Sequence, residues 1–327
     1  MPRSRMLAAI CAVIALPIAL LAPAAQAATS KYTLVTEPAD NYQKIYALIN
    51  SATSTLDMTM YELADTTAQT DLANAASRGV NVRVVLDINR EQSNNQTAYN
   101  YLSSHGVHVV WAQTKYAATH QKTITVDGIT SAIMSGNLTS RYYSTSRDFA
   151  VLDTNLIDIA AIEKVFNADF AGTAITPTDG DNLTWSPTDS QTKLLALINS
   201  ATSTLSVENE EMADTAVTNA LVAAANRGVK VHITMTANSS YDTAFNQLKA
   251  AGAVIHLYAS TASLYIHAKV IDVDAALTSH RAYVGSINFS DYSLNKNREL
   301  GFISSDTGID AGLDTTLAAD FAGGTNY

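Results

Sequence analysis

The sequence predicts an α/β protein built by duplication, with two similar halves packed about a pseudo-two-fold axis. Three observations carry this. The segment 47–56, Ala-Leu-Ile-Asn-Ser-Ala-Thr-Ser-Thr-Leu, recurs unchanged at 196–205, a spacing of 149 residues. Ala64-Asp65-Thr66, Arg78-Gly79-Val80 and Pro38 return at the same spacing, as Ala213-Asp214-Thr215, Arg227-Gly228-Val229 and Pro187. A period this long marks a duplicated domain, not a solenoid. Finally, hydrophobic residues make up 47% of the 327-residue chain and charged residues 15%, which is core-forming material and excludes a disordered protein.

The elements follow in order. Ile45, Leu48, Ile49 and Ala52 fall at helical spacing. Leu56, Met58 and Met60 alternate as a strand does. Residues 72–76 read as a helix, with Gly79 as its C-terminal stop. Val82, Val84 and Leu86 alternate again. Such strand–helix–strand units imply parallel strand pairs covered by helices. Residues 173–190, rich in Thr, Asp, Gly and Pro, read as a linker. The expected division is 28–180 and 181–327.

Residues 1–27 read as a secretory signal peptide. Arg3 and Arg5 precede an apolar run over 6–21, and Ala25-Gln26-Ala27 is a cleavage signal. A membrane anchor is disfavoured, because Pro17 interrupts the run and no basic stop-transfer cluster follows. Cleavage near Ala27 removes the sole cysteine, Cys11. It leaves 18 basic against 30 acidic residues, a net charge of −12. An exported protein without disulfide, Cys nucleophile or Cys metal site is expected. A net negative charge argues against a stable nucleic-acid complex.

Each half carries one chemical constellation. His120-Gln121-Lys122 is followed by Asp127, and His267-Ala268-Lys269 by Asp274, so both read H-x-K-x4-D. On a strand the middle residue faces away, placing His and Lys on one face. Ser135-Gly136-Asn137 and Ser286-Ile287-Asn288 follow, then Arg147-Asp148 and Arg298-Glu299. A site on the pseudo-two-fold would receive the same groups from both halves. His105, His108, His232, His256 and His280 lack such surroundings and read as ordinary surface or core histidines.

In these paired motifs the chain resembles the phospholipase D superfamily over essentially its whole length beyond the leader. The resemblance implies two mixed β-sheets flanked by helices, the phospholipase D fold. It implies phosphodiester cleavage through a phosphohistidine, with His120 as nucleophile and His267 as general acid. Lys122, Lys269, Asn137 and Asn288 would surround the phosphoryl oxygens. Asp148 would hold His120 and Glu299 would hold His267. Asp127 and Asp274 would be structural, and Ser135 and Ser286 would shape their turns. No metal or other cofactor is implied.

The halves differ where Met60-Tyr61-Glu62 aligns with Asn209-Glu210-Glu211. Asn209, Glu210 and Glu211 read either as a solvated strand end or as a group beside the substrate head that anchors a cation. Tyr116, Tyr142, Tyr143, Tyr265 and Tyr292 lie near the motifs, suited to a lipid interface or a choline by cation–π contact. The expected function is a secreted, monomeric phospholipase D acting on a phospholipid at a membrane or micelle surface. It would release phosphatidic acid or pass the phosphatidyl group to another alcohol. The alternatives are a nuclease of the same superfamily and a non-catalytic binding module. Two complete motifs argue against the latter.

Overall fold

The computed structural model describes residues 30–327 together with the first two. The leader read over 1–27, with Cys11, therefore falls outside the described residues apart from those two. The first half runs β1 (Tyr32–Glu37), α1 (Gln43–Asn50), β2 (Thr55–Met60), α2 (Thr66–Ser77), β3 (Asn81–Leu86), α3 (Gln92–Ser104), β4 (His108–Trp111), β5 (Thr123–Val126), β6 (Thr130–Met134), β7 (Ser146–Asp153) and α4 (Leu156–Phe170). The second runs β8 (Leu183–Ser186), α5 (Ser190–Ser200), β9 (Thr204–Asn209), α6 (Thr215–Asn226), β10 (Lys230–Thr236), α7 (Asp242–Ala250), β11 (Val254–Tyr258), β12 (Tyr265–Ile266), β13 (Lys269–Val273), β14 (Arg281–Gly285), α8 (Asp291–Asn295), β15 (Glu299–Ser304), α9 (Thr307–Gly323) and β16 (Thr325–Asn326).

Two eight-stranded mixed sheets result. The first has order β1-β7-β6-β5-β2-β3-β4, with β12 as an eighth strand paired to β7 off this path, and the second β16-β11-β10-β9-β13-β14-β15-β8. In each, the strand after the first helix pairs parallel with its successor and antiparallel with the strand of the H-x-K motif. Leu48, Leu72 and Leu102 from α1, α2 and α3 pack on one face of the first sheet, and Leu197, Leu221 and Leu248 repeat this on the second. The inner faces share a third core. There Ile133, Phe149 and Val151 of the first sheet meet Trp185, Val270, Val284 and Phe302 of the second, with Ile162 of α4 and Leu313 of α9.

The repeated sequence fragments have structural work. Asp65 and Asp214 cap α2 and α6, accepting from the amides of Thr67 and Val217 at 2.8 Å. Gly79 and Gly228 follow these helices at φ 91° and 89°, a conformation open to glycine. Arg78 and Arg227 donate to the carbonyls of Ala52 and Ala201. The identical Ala-Thr-Ser-Thr runs wrap the motif aspartates. Asp127 accepts the amides of Thr53, Ser54 and Thr55, and Asp274 those of Thr202, Ser203 and Thr204. Each aspartate thus ties the end of its motif strand to the start of the neighbouring strand.

Two features depart from the sequence reading. Residues 173–190 are not all linker. They contain β8, whose Trp185 is fully buried and which pairs with β15. Four residues of strand between Asp181 and Pro187 are too short for periodicity to register. The halves are also interlaced. β12 of the second half pairs with β7 in the first sheet, and Thr119 makes the equivalent bridge to Arg298.

Candidate active site

The interlacing builds the site. His120 and His267 each follow a short extended segment that lies along a strand of the opposite half. The amide of His120 donates to the carbonyl of Arg298, and that of His267 to the carbonyl of Arg147. Each imidazole therefore sits beside the acid that follows that arginine. His120 Nδ1 lies 2.8 Å from Glu299 Oε2, and His267 Nδ1 lies 2.8 Å from Asp148 Oδ1. The expected pairing, Asp148 with His120 and Glu299 with His267, is thus corrected. The acid in each dyad comes from the other half, because the strand bearing it is bridged by the other half's H-x-K segment. Chain order offered the nearer acid and carried no sign of this exchange.

Each carboxylate is itself oriented. Ser135 donates to Asp148 at 2.6 Å and accepts from the amide of Phe149, so it does more than shape a turn. Ser286 bonds only the backbone of Leu300, and Glu299 is held by Asn297 Nδ2 at 2.9 Å. Burial alone would raise both carboxyls. The facing imidazoles and lysines instead bring Asp148 and Glu299 below the ordinary range. Burial pushes His120 below its usual pKa, and Lys122 adds to this against the pull of Glu299. A neutral imidazole donating Nδ1–H to Glu299 keeps a lone pair on Nε2.

Lys122 and Lys269 are fully buried and donate back to the carbonyls of His120 and His267. The residues between, Gln121 and Ala268, face the other way into buried surroundings. Burial lowers Lys122 to about 7, helped by Lys269. Its ammonium lies 4.9 Å from the Tyr61 ring, which also meets His120 edge-on at 4.6 Å. Asn137 lines the hollow on the His267 side and Asn288 the one beside His120. The Oδ1 atoms of both are buried without a partner. These buried acceptors suit a ligand that brings a hydroxyl or other donor, while the amide nitrogens remain the groups able to donate to a phosphoryl oxygen.

Of the three residues at the end of β9, Glu210 alone contacts the motif side chains Lys269, His267 and Asn288. Asn209 is fully buried, and its Oδ1 accepts the amides of Phe289 and Glu211, bracing the Asn288 loop. It is therefore neither the solvated strand end nor the group beside substrate that the sequence offered as alternatives. Glu211 lines the hollow next to His120, with Tyr61, Arg90, Asn288 and Tyr292. On the His267 side lies a chamber of about 490 Å³, lined by Asn137, Glu210 and the tyrosines 42, 142, 143 and 265. Tyr265, Tyr142 and Tyr292 are exposed, whereas Tyr116 and Tyr143 are buried and bonded to Arg298 and Asp65. Tyr116 is structural, contrary to the expectation of lipid contact, while Tyr143, anchored on Asp65, still lines the chamber. Tyr42 and Tyr61 line the site without having been singled out. Tyr42 precedes α1 and Tyr61 follows β2, places where the sequence offered no chemical motif beyond the difference of Tyr61 from Glu210.

A family profile described as "Cardiolipin synthase, PLD-like domain" matches residues 45–170 and 194–321. No curated protein matches. Among solved structures, the polyphosphate kinase of Porphyromonas gingivalis superposes with a TM-score of 0.71 at 14% identity, over 89% of this chain and 47% of its own. The chain thus spans about half the length of that kinase. The phosphatidylserine synthase of Haemophilus influenzae Rd KW20 superposes with a TM-score of 0.67 at 12% identity, over 89% of this chain and 86% of its own. The Salmonella typhimurium Nuc protein, a phospholipase D family member, matches 44% of this chain at 22% identity and a TM-score of 0.39.

Proposed function

The chain belongs to the cardiolipin synthase, PLD-like domain family, a group acting on phosphodiesters, and on that premise we propose that it is a secreted phospholipase D. The observation that carries this reading is the pair of crossed dyads, each imidazole held by a carboxylate and accompanied by a buried lysine. His120 Nε2 attacks phosphorus and forms a P–N bond while the P–O bond to the head-group alcohol breaks. His267, protonated at Nε2, gives its proton to the departing alkoxide. Lys122, Lys269, Asn137 and Asn288 face the non-bridging oxygens. His267 then takes a proton from water, whose oxygen displaces His120 and yields phosphatidic acid. A primary alcohol in place of water yields a phosphatidyl alcohol.

In-line displacement puts the leaving group on the His267 side, where the tyrosine-lined chamber opens. That chamber supports a head group over a nucleic-acid strand, as does the excess of acidic residues. The test is purified protein assayed in parallel on phosphatidylcholine vesicles and single-stranded DNA, with EDTA and with ethanol. Lysine-supplied charge predicts lipid turnover in EDTA and phosphatidylethanol as a product. DNA cleavage without lipid turnover would replace this reading with that of a nuclease. Loss in EDTA restored by one cation would overturn the mechanism.

A further inference from the structure

One carboxylate oxygen occupies the place where the phosphodiester reading requires a phosphoryl oxygen. Glu210 Oε2 lies 3.1 Å from Lys269 Nζ, 3.4 Å from Asn288 Nδ2 and 3.5 Å from His267 Nε2. These are the lysine, amide and imidazole of the second motif: the first two donate to this one oxygen, and a protonated His267 faces it as an ion pair. The other oxygen, Oε1, accepts from the Tyr265 hydroxyl at 3.0 Å, at the wall of the tyrosine-lined chamber. The pseudo-symmetric position in the first half is Tyr61, an uncharged ring. Among the described residues, therefore, a carboxylate takes up the motif lysine on the leaving-group side only.

A phosphate and this carboxylate cannot share the same donors. Substrate entry requires Glu210 to give up Lys269, Asn288 and His267, and the side chain stays tethered to a strand end. Its only other polar contact points into the chamber, toward Tyr265. A displaced carboxylate there is a charge that has lost its lysine, within reach of whatever head group fills the chamber. A quaternary or primary ammonium two carbons from the phosphate compensates it, with exposed Tyr265 and Tyr142 offering ring faces. A second phosphate or another anion in that place meets like charge.

We propose that Glu210 is a displaceable occupant of the phosphate seat that selects substrates by charge, favouring phosphodiesters whose leaving group is cationic over those whose leaving group is neutral or anionic. This rests on the phosphodiesterase reading of the site and names its substrate class. It also places an anionic gate against nucleic-acid strands, whose neighbouring phosphate would lie in the chamber.

The test separates the seat from the lipid. Inorganic phosphate is titrated calorimetrically into the whole protein, alone, with choline chloride and with glycerol. Wild type should bind phosphate weakly, and choline but not glycerol should tighten it several-fold, because linkage is reciprocal. Glu210→Gln should bind phosphate at least tenfold more tightly without choline, and choline should add nothing. Glu210→Ala should behave alike, guarding against a bond retained by Gln, and thermal melts check that both fold. On vesicles, the preference in kcat/KM for phosphatidylcholine over phosphatidylglycerol should fall at least tenfold in Glu210→Gln. Unchanged phosphate affinity in both variants would overturn the occupied seat. A seat confirmed without a choline effect would overturn charge selection. Wild type inert toward both vesicles would overturn the phospholipase reading, and the titration would still decide the role of Glu210.

Discussion

Lys122 and Lys269 occupy matched positions yet face different partners, an aromatic ring and a carboxylate. Lys122 has no anion in contact and titrates at about 7, whereas Lys269 is paired with Glu210. This asymmetry sets the pH dependence of the free enzyme. On the proposed mechanism His120 must be neutral to attack, so kcat/KM should rise as pH climbs through its lowered pKa. Lys122 must be charged to hold a phosphoryl oxygen, so kcat/KM falls as pH passes about 7. A narrow, slightly acidic optimum on a soluble aryl phosphodiester is expected. In Lys122→Arg the guanidinium keeps its charge, and the alkaline limb should move up by about one unit or more, whatever happens to kcat. An alkaline limb that stays in place would assign it to another group.

At the scale of elements, the repeats printed in the sequence are the scaffold, and most were readable. The Asp caps, the Gly stops and the strands around Met58 and Val84 follow from local rules, because each depends on neighbours a few residues away. The aspartates closing H-x-K-x4-D are longer-range struts. Burial opposes ionisation of Asp274, but the Thr202 hydroxyl and three backbone amides hold it at about 2. Its folded pKa lies below the unfolded value, so its contribution to stability is present above about pH 4 and lost as pH falls through 2. Asp274→Asn should cost about 1–3 kcal/mol in urea unfolding at pH 7. The deficit should shrink near pH 2, with kcat on the folded fraction little changed. What local rules missed was β8, too short to show a period, and the two hooks that place Thr119 and Tyr265 against the other half's strands. These hooks are contacts between residues far apart in the chain, and hydrophobic pattern carries no trace of them.

The whole molecule is two halves that complete one another. Arg147 of the first half is ion-paired with Asp320 of α9, and Arg298 of the second with Asp169 of α4. Arg298 is 1% exposed, and its Nε lies 2.9 Å from Asp169. Arg298→Met leaves that buried carboxylate unpaired and should cost about 3–5 kcal/mol. The double variant with Asp169→Leu should recover much of the loss, as measured by chemical unfolding. The same interlacing assigns each catalytic acid to the opposite histidine, which chain order reversed. Mass-spectrometric mapping of phosphohistidine after rapid quench with an aryl phosphodiester tests that assignment most directly. Such a substrate leaves without a proton, so the first step needs only the nucleophile. Asp148→Asn weakens His267, which activates water in the second step, and should accumulate phosphate on His120, as His267→Asn should. Glu299→Gln weakens the nucleophile and should show little adduct. Accumulation in Glu299→Gln with none in Asp148→Asn, or an adduct on His267 in place of His120, would contradict the crossed site.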